Sequence, residues 1–254
     1  AAPVGGTFVG QRLVTQKRSA DDGQARLAVG LQAVRVGIVG GLFDYEGFDY
    51  TGTVIHGQSG GTGWGGAWED TDGDFAFLSN DSVSLTSPLF TSVGSRLSGP
   101  NAGTTGTIEA ARLLSLPLDL SEEGEVRYVS GLLRKGSTSA NSGENLEISL
   151  AAGTSQIARF GMTSGSATVP DAFFLNPSTN TAGTVIAGTT YLVIGKIVAH
   201  SAANDEFFMN FYASGDPVPA TEPETWMLTN QTASSDVISR LRLIVGANNN
   251  KGDI

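Results

Sequence analysis

Carboxylates alternate along one short stretch, Glu69-Asp-Thr-Asp-Gly-Asp74. Asp70, Asp72 and Asp74 place oxygen ligands at every second position, and the glycine between the last two permits the sharp turn of a Ca²⁺ loop. The stretch is not an EF-hand, because the bidentate glutamate that ends such a loop is absent. An acidic β-turn without an ion is the alternative interpretation. The spacing predicts a structural Ca²⁺ ion and no other cofactor.

Residues for the common kinds of catalysis are scarce. The chain has no cysteine, which excludes a catalytic thiol and a thiolate metal site. His56 and His200 are its two histidines, and positions beside a turn or at a strand end are expected at the surface more often than in a catalytic triad. Glu122, Glu123 and Glu125 are interpreted as a solvated charge cluster. The sequence therefore predicts that the protein is not an enzyme, although a carboxylate pair from distant strands stays open.

Tryptophans are the second kind of candidate site residue. A flat aromatic face packs well against an apolar surface, and the pyranose ring of a sugar has one. Trp64 and Trp226 are therefore candidate carbohydrate-binding residues, with a polysaccharide as the partner. Burial in the core is the alternative for both, and it is the better interpretation for Trp68.

These residues have to be positioned by β-strands, because short apolar segments separated by turn residues follow one another along the chain. The clearest segments cover residues 125–133, 145–150, 156–162, 191–199, 207–212 and 238–245. Residues 145–150 are expected to pair with 156–162, and 191–199 with 207–212. The Pro-rich residues 217–224 are expected to form a loop. Strands without intervening helices predict an all-β sandwich.

The first 41 residues form an arm that differs from the rest in charge and pattern. They carry five basic and two acidic residues, a net +3, whereas the remainder carries ten basic and 23 acidic residues, a net −13. Period-two apolar spacing over residues 25–39 predicts a strand, and a helix over 20–34 is the alternative. Gly40 and Gly41 are the predicted hinge to the body, residues 42–254. The apolar residues of the predicted strand are Leu27, Val29, Leu31, Val34, Val36 and Ile38.

One stretch carries a family resemblance: EGFDYTGTVIHGQSGGTGWGGAW, residues 46–68. Its E-x-F-x-Y and G-x-x-G-G-x-G-W-x-x-x-W patterns resemble the opening of secreted bacterial domains of the concanavalin A-like, LamG-like jelly-roll type. Residues 191–197 and 239–246 resemble later strands, so the resemblance covers residues 42–254. It implies a jelly-roll β-sandwich and says little about activity. The arm has no counterpart in these domains, and their last strand, Y-x-D-E-I-R-I-G, is not found.

Composition limits the class of protein. Charged residues make up 16% of the chain, and 34 of its 254 residues are glycine, which is typical of sandwiches with many turns. The net charge of −10 argues against a nucleic-acid partner. No segment approaches the roughly 18 apolar residues that span a bilayer. Ala1-Ala-Pro3 fits the residues that follow signal-peptide cleavage, so a secreted, extracellular or cell-surface location is expected.

The leading functional prediction is structural. A body without its last strand would leave a sheet edge open, and the arm of another copy could pair with that edge. Head-to-tail exchange of this kind propagates, which predicts an extracellular filament or sheath built from copies of this chain. A lectin-like carbohydrate-binding module is the alternative. A glycoside hydrolase or lyase of the jelly-roll type comes third.

Overall fold

The computed structural model describes residues 34–38, 41–50, 54–71, 79–81, 85, 95–98, 107–135, 145–163, 165, 170–175, 181–219, 221–246 and 252–253. Within these ranges the chain forms sixteen β-strands and no helix, and so no helix there is long and apolar enough to cross a membrane. The strands are β1 (Val34–Ile38), β2 (Gly41–Glu46), β3 (Glu69–Asp70), β4 (Ser79–Asp81), β5 (Arg96–Ser98), β6 (Ile108–Asp119), β7 (Val126–Lys135), β8 (Leu146–Ala152), β9 (Ser155–Thr163), β10 (Ala172–Leu175), β11 (Thr181–Ala182), β12 (Thr190–Val198), β13 (Asp205–Ala213), β14 (Leu228–Thr232), β15 (Val237–Val245) and β16 (Gly252–Asp253).

The strands form two antiparallel sheets packed as a sandwich. In the described part of the chain the larger sheet has nine strands, of which seven are ordered β14-β13-β12-β7-β16-β5-β4. The other two are β1, which pairs with β7, and β2, which pairs with β1. The smaller sheet has seven, ordered β11-β10-β9-β8-β15-β6-β3. The predicted all-β jelly-roll sandwich is confirmed, as are the β8–β9 and β12–β13 pairings.

The core lies between the two sheets and is filled by alternate residues of their strands. On β12, Tyr191, Val193 and Ile197 point inward and are buried. Gly195 belongs to the same inward row, and a Cβ atom there would lie 2.5 Å from Cε1 of Phe160 on β9. Glycine is required at this point because a ring from the smaller sheet packs directly on the backbone of the larger one.

Strand β1 lies in the larger sheet of its own chain. It forms a hairpin with β2, in which Ile38 pairs with Gly41. Its other edge pairs with β7, where Val36 lies opposite Val129. Further along the same edge of β7, the short strand β16 pairs with Arg134 and Lys135. Segments from both ends of the described chain therefore cover one edge of β7.

The predicted assembly strand is described only in part. Val34, Val36 and Ile38 lie in β1, and the hinge residue Gly41 is the first residue of β2. Leu27, Val29, Leu31 and Gly40 lie outside the described residues.

A buried carboxylate at the end of β2 joins the Gly-rich stretch to the smaller sheet. Glu46 forms a salt bridge with Arg112 of β6, and the two side chains are only 1% and 2% exposed. Arg112 Nε also donates to the carbonyl of Gly66 at 2.7 Å. Its guanidinium carbon lies 5.1 Å from the ring centroid of Trp64 and 5.6 Å from that of Trp68. One ion pair thus contacts both tryptophans of the motif.

The other hydrogen bonds of Glu46 involve the aromatic residues of the same stretch. Its Oε1 accepts from the backbone N–H of Phe48 at 2.7 Å, and its Oε2 accepts from the Tyr50 hydroxyl and from Trp68 Nε1. Phe48 has a φ of 54°, which is rare for a bulky residue, and the bond to Glu46 holds it there. Burial, together with the bond to Glu46, raises the pKa of Tyr50 above its ordinary value, so the phenol stays a donor.

The crossover after β2 brings two backbone segments into contact. Thr62 and Tyr45 exchange two backbone hydrogen bonds of 2.9 Å. Gly61, beside them, has a φ of +71°, and a Cβ atom there would lie 2.2 Å from the Tyr45 carbonyl oxygen. That oxygen also accepts from Trp64 Nε1 at 2.9 Å. These contacts form a tight return of the chain that is anchored by Trp64.

Replacing Glu46 with glutamine should destabilise the fold strongly, because it leaves the buried charge of Arg112 without its counterion. We expect the free energy of unfolding to fall by about 3–5 kcal/mol, measured by urea denaturation. Glu69→Gln is the matched control, since Glu69 and its partner Arg240 are 46% and 26% exposed and such pairs contribute about 0–1 kcal/mol. Equal losses in the two variants would contradict a special role for Glu46.

Candidate functional site

The outer face of the larger sheet carries a row of polar and aromatic side chains. Tyr128 of β7, Lys196 of β12 and Phe208 of β13 lie side by side in register. Their chain neighbours Val129 and Ile197 point into the core, and successive residues of a strand face opposite sides. The row therefore faces away from the core, and its three side chains are half-buried.

A carboxylate from the Pro-rich loop lies on this row. Glu222 Oε2 accepts from the Tyr128 hydroxyl at 2.6 Å, and Glu222 Oε1 accepts from Lys196 Nζ. Burial, together with the bond to Glu222, raises the pKa of Tyr128 above its ordinary value of 10.0. The phenol is therefore protonated at neutral pH and acts as a hydrogen-bond donor. Two donors of the sheet thus converge on the two oxygens of one carboxylate.

Aromatic rings flank these donors. Lys196 Nζ lies 5.4 Å from the ring centroid of Phe208 and 5.9 Å from that of Tyr128, distances at which a cation is attracted to a ring face. Trp226 continues the aromatic surface, with its ring centroid 5.6 Å from that of Phe208. The result is a polar centre bordered by three half-buried rings.

An apolar floor lies beside the row on the same outer face. Its buried members form a cluster separate from the main core, and Trp226 packs against them; they are Leu85, Leu132, Leu192, Ile194 and Tyr212. This second apolar layer explains why β7 and β12 are apolar on both faces.

Asn210 fixes the chain that follows the Pro-rich loop. Its side-chain oxygen accepts from the backbone N–H of Met227 at 2.7 Å, and its nitrogen donates to the Tyr212 hydroxyl at 3.1 Å. Asn210 is only 3% exposed, so these bonds are sheltered from water. They hold Trp226 at a defined place over the sheet.

A second polar cluster lies at the β12–β13 turn. His200 Nδ1 lies 3.1 Å from Glu123 Oε1, and its Nε2 lies 3.4 Å from Glu206 Oε2. Hydrogen bonds to the two carboxylates raise the pKa of His200 and lower that of Glu123. The Ser201 hydroxyl donates to Glu123 and not to the imidazole. The arrangement is therefore not that of a catalytic triad, in which the serine bonds the histidine.

The other predicted site residues lie apart from this face. Trp64 forms a bridge with Leu114 of the smaller sheet, whereas Trp226 packs over the larger one, so the two candidate tryptophans do not form one surface. His56 Nδ1 accepts from the backbone N–H of Asp70 at 3.1 Å.

The predicted Ca²⁺ site is described only at Asp70, the last residue of β3. Asp72 and Asp74 lie outside the described residues. In the described part of the chain no group of three or more possible metal ligands is found. The Ca²⁺ site stays a prediction.

Sequence reasoning missed Tyr128, Lys196, Phe208 and Glu222. The first three occupy outward positions of segments that were correctly predicted as strands. The alternation of inward and outward residues along those strands could therefore have placed them on one face. No pattern in the sequence could have placed Glu222 there, because its position over that face depends on the path of a loop.

No family model and no curated protein matches the chain, but solved structures do. An endo-β-1,4-glucuronan lyase from the fungus Trichoderma reesei is 14% identical, with 81% of this chain and 92% of that chain covered and a TM-score of 0.42. An alginate lyase from Corynebacterium sp. is 9% identical, with 87% and 90% covered and a TM-score of 0.44. A protein of unknown function from Shewanella oneidensis MR-1 is 11% identical, with 74% and 77% covered and a TM-score of 0.27.

The prediction that the protein is not an enzyme is wrong, because the features on which it rested do not exclude an activity. It rested on missing cysteine and histidine motifs, and two of the similar structures are described as lyases. Tyrosine and lysine also serve as acids and bases in enzymes, so the lack of those motifs excludes no activity.

The His200 cluster should make stability depend on pH. The pKa of His200 is raised above 6.5 in the folded state. Its contribution to the free energy of unfolding is therefore complete below about pH 6.5 and is lost as the pH rises through the folded-state pKa. Glu123 stays ionised throughout this window, because its pKa is lowered. We expect the stability difference between the native chain and His200→Gln, measured by urea denaturation, to shrink from about pH 6 to about pH 8.5. A difference that is constant or grows with pH would contradict the geometry.

Proposed function

We propose that the outer face of the larger sheet binds a polysaccharide, in an extracellular jelly-roll domain of the concanavalin A-like, LamG-like kind. The observation that carries this proposal is the row of Tyr128, Lys196 and Phe208 with Trp226 beside it. Aromatic faces pack against the C–H faces of sugar rings, while hydrogen-bond donors between the rings bind hydroxyl or carboxyl oxygens.

The shape of the face supports an extended ligand. The row runs across adjacent strands, which are roughly 4.8 Å apart in a sheet, and a sugar unit is of similar length. A chain lying across β7, β12 and β13 would present successive units to successive side chains. The core beneath the sheet and the apolar cluster beside the row hold these side chains in place, and such preorganisation lowers the entropy lost on binding.

Cleavage of the bound polysaccharide is a second candidate function. Tyr128 keeps its proton at neutral pH, as a general acid must, and Lys196 places a positive charge 5.9 Å from its ring centroid. In a hydrolysis, the phenol would give its proton to the leaving oxygen as the C–O bond breaks, water would add to the sugar carbon, and the proton released by that water would restore the phenol. The cation would stabilise the negative charge that develops.

The filament of strand-exchanged copies stays a prediction. In the described structure β1 pairs with β7 of its own chain, so strand exchange is not needed to fill that edge. Secretion and the Ca²⁺ ion are likewise proposals drawn from the sequence.

We expect native protein to bind at least one polysaccharide from a panel of neutral and acidic polymers, and Phe208→Ala and Trp226→Ala to weaken that binding about tenfold, or ~1.4 kcal/mol each. Affinity electrophoresis measures the binding, and the size distribution of each polymer after incubation reports cleavage.

Val237→Ala is the matched control. Val237 is 45% exposed on β15 of the smaller sheet, so its truncation should leave affinity unchanged. Failure of the native chain to retain any polymer, or equal weakening by the control, would overturn the proposal.

A further inference from the structure

Tyr128 and Lys196 bind the carboxylate of Glu222 in the way that a binding site holds a carboxylate ligand. Tyr128 and Lys196 each bond a different oxygen of the Glu222 carboxylate. The two donors come from neighbouring strands of a rigid sheet and lie opposite each other in register. The acceptor comes from a loop between β13 and β14 that belongs to neither sheet.

We propose that this position is a binding subsite for the carboxylate of a uronic acid unit, and that Glu222 occupies it as an internal substitute until such a ligand displaces it. This inference rests on the proposed polysaccharide binding and names its substrate class.

The geometry favours a carboxylate attached directly to a ring. In a uronic acid the carboxyl carbon is bonded directly to the pyranose ring. If such a carboxylate takes the place of the Glu222 carboxylate, the sugar ring lies directly beside that position. Phe208 and Trp226 border this position, with their centroids 5.6 Å apart. A sugar ring held by its carboxylate would therefore lie against an aromatic surface, and a neutral sugar would leave Lys196 without an anion.

The internal contact is one that a ligand can displace. The side chains of Lys196 and Glu222 are 16% and 24% exposed, so the pair lies at the surface of the sheet, where an incoming anion can reach it. Moving the Glu222 side chain breaks no hydrogen bond between strands, because the loop is anchored elsewhere, through Met227 and Asn210. An incoming carboxylate replaces one anion by another, so neither Lys196 nor Tyr128 loses its partner during exchange.

Competition by Glu222 has a measurable consequence. An intramolecular occupant lowers the apparent affinity for a ligand in proportion to the fraction of time for which the site is free. Removing the occupant should raise affinity for uronate polymers and leave affinity for neutral ones unchanged.

The test compares native protein with Glu222→Ala and Glu222→Gln on uronate polysaccharides, including polygalacturonate and hyaluronan, each paired with its carboxyl-reduced neutral form. Dextran sulfate is added as an anion without carboxylates. Glu224→Ala is the matched control, since it removes the same charge from an exposed position of the same loop. Lys196→Met is combined with Glu222→Ala to remove the cation as well.

We expect Glu222→Ala to tighten binding of at least one uronate polymer about tenfold, as for a site that is free about one tenth of the time. Its neutral form and dextran sulfate should bind as they do to the native chain, Glu224→Ala should behave as native, and Lys196→Met should abolish the gain. Glu222→Gln, which keeps the side-chain volume but not the charge, should give a smaller gain.

Three results would overturn the inference. If neutral polymers bind but Glu222→Ala leaves uronate affinity unchanged or lower, the proposed function stands and the uronate subsite does not. An equal gain for dextran sulfate, or for Glu224→Ala, would show a general electrostatic effect. If no polymer binds any variant, the proposed function fails and the inference with it.

Discussion

A buried ion pair between Glu46 and Arg112 joins the two sheets. It connects the end of β2 to the middle of β6, and β6 belongs to the smaller sheet. β2 pairs with β1, and β1 pairs with β7 of the larger sheet. The pair therefore ties the two sheets together through one short hairpin. Burying two charges is costly unless further hydrogen bonds satisfy them, and here Phe48, Tyr50 and Trp68 supply those bonds.

The inner face of the larger sheet packs on the core, and its outer face carries a second set of side chains. β7, β12 and β13 contribute their inward residues to the main core and their outward residues to a second apolar cluster with Trp226. Strands buried on both faces are stiff, and side chains standing on them are held in place. The polar row of Tyr128, Lys196 and Phe208 stands on such strands, which suits a face that recognises a repeating ligand.

The sequence predicted the main strands and two of their pairings, but it did not predict the side-chain contacts between distant segments. Short apolar segments bounded by turn residues were sufficient to predict β7, β8, β9, β12, β13 and β15, because both signals are local properties of the sequence. The need of Trp68 for a hydrogen-bond partner could be inferred, but its partner Glu46 is bonded to Arg112, which is 66 residues away in sequence. Such a pairing depends on how β2 and β6 meet in space. Glu222 was missed for the same reason: the prolines around it predict a loop and not what the loop contacts.

Amide NMR titration with a panel of neutral and uronate oligosaccharides tests whether the outer face of the larger sheet binds polysaccharide, because it locates binding without assuming a site. We expect at least one ligand to shift the resonances of β7, β12 and β13 around Tyr128, Lys196 and Phe208, together with those of Glu222 and Trp226. The resonances of β6 and β15 should not shift. Shifts confined to the surroundings of Trp64 or to the smaller sheet, or none with any ligand, would contradict binding at this face.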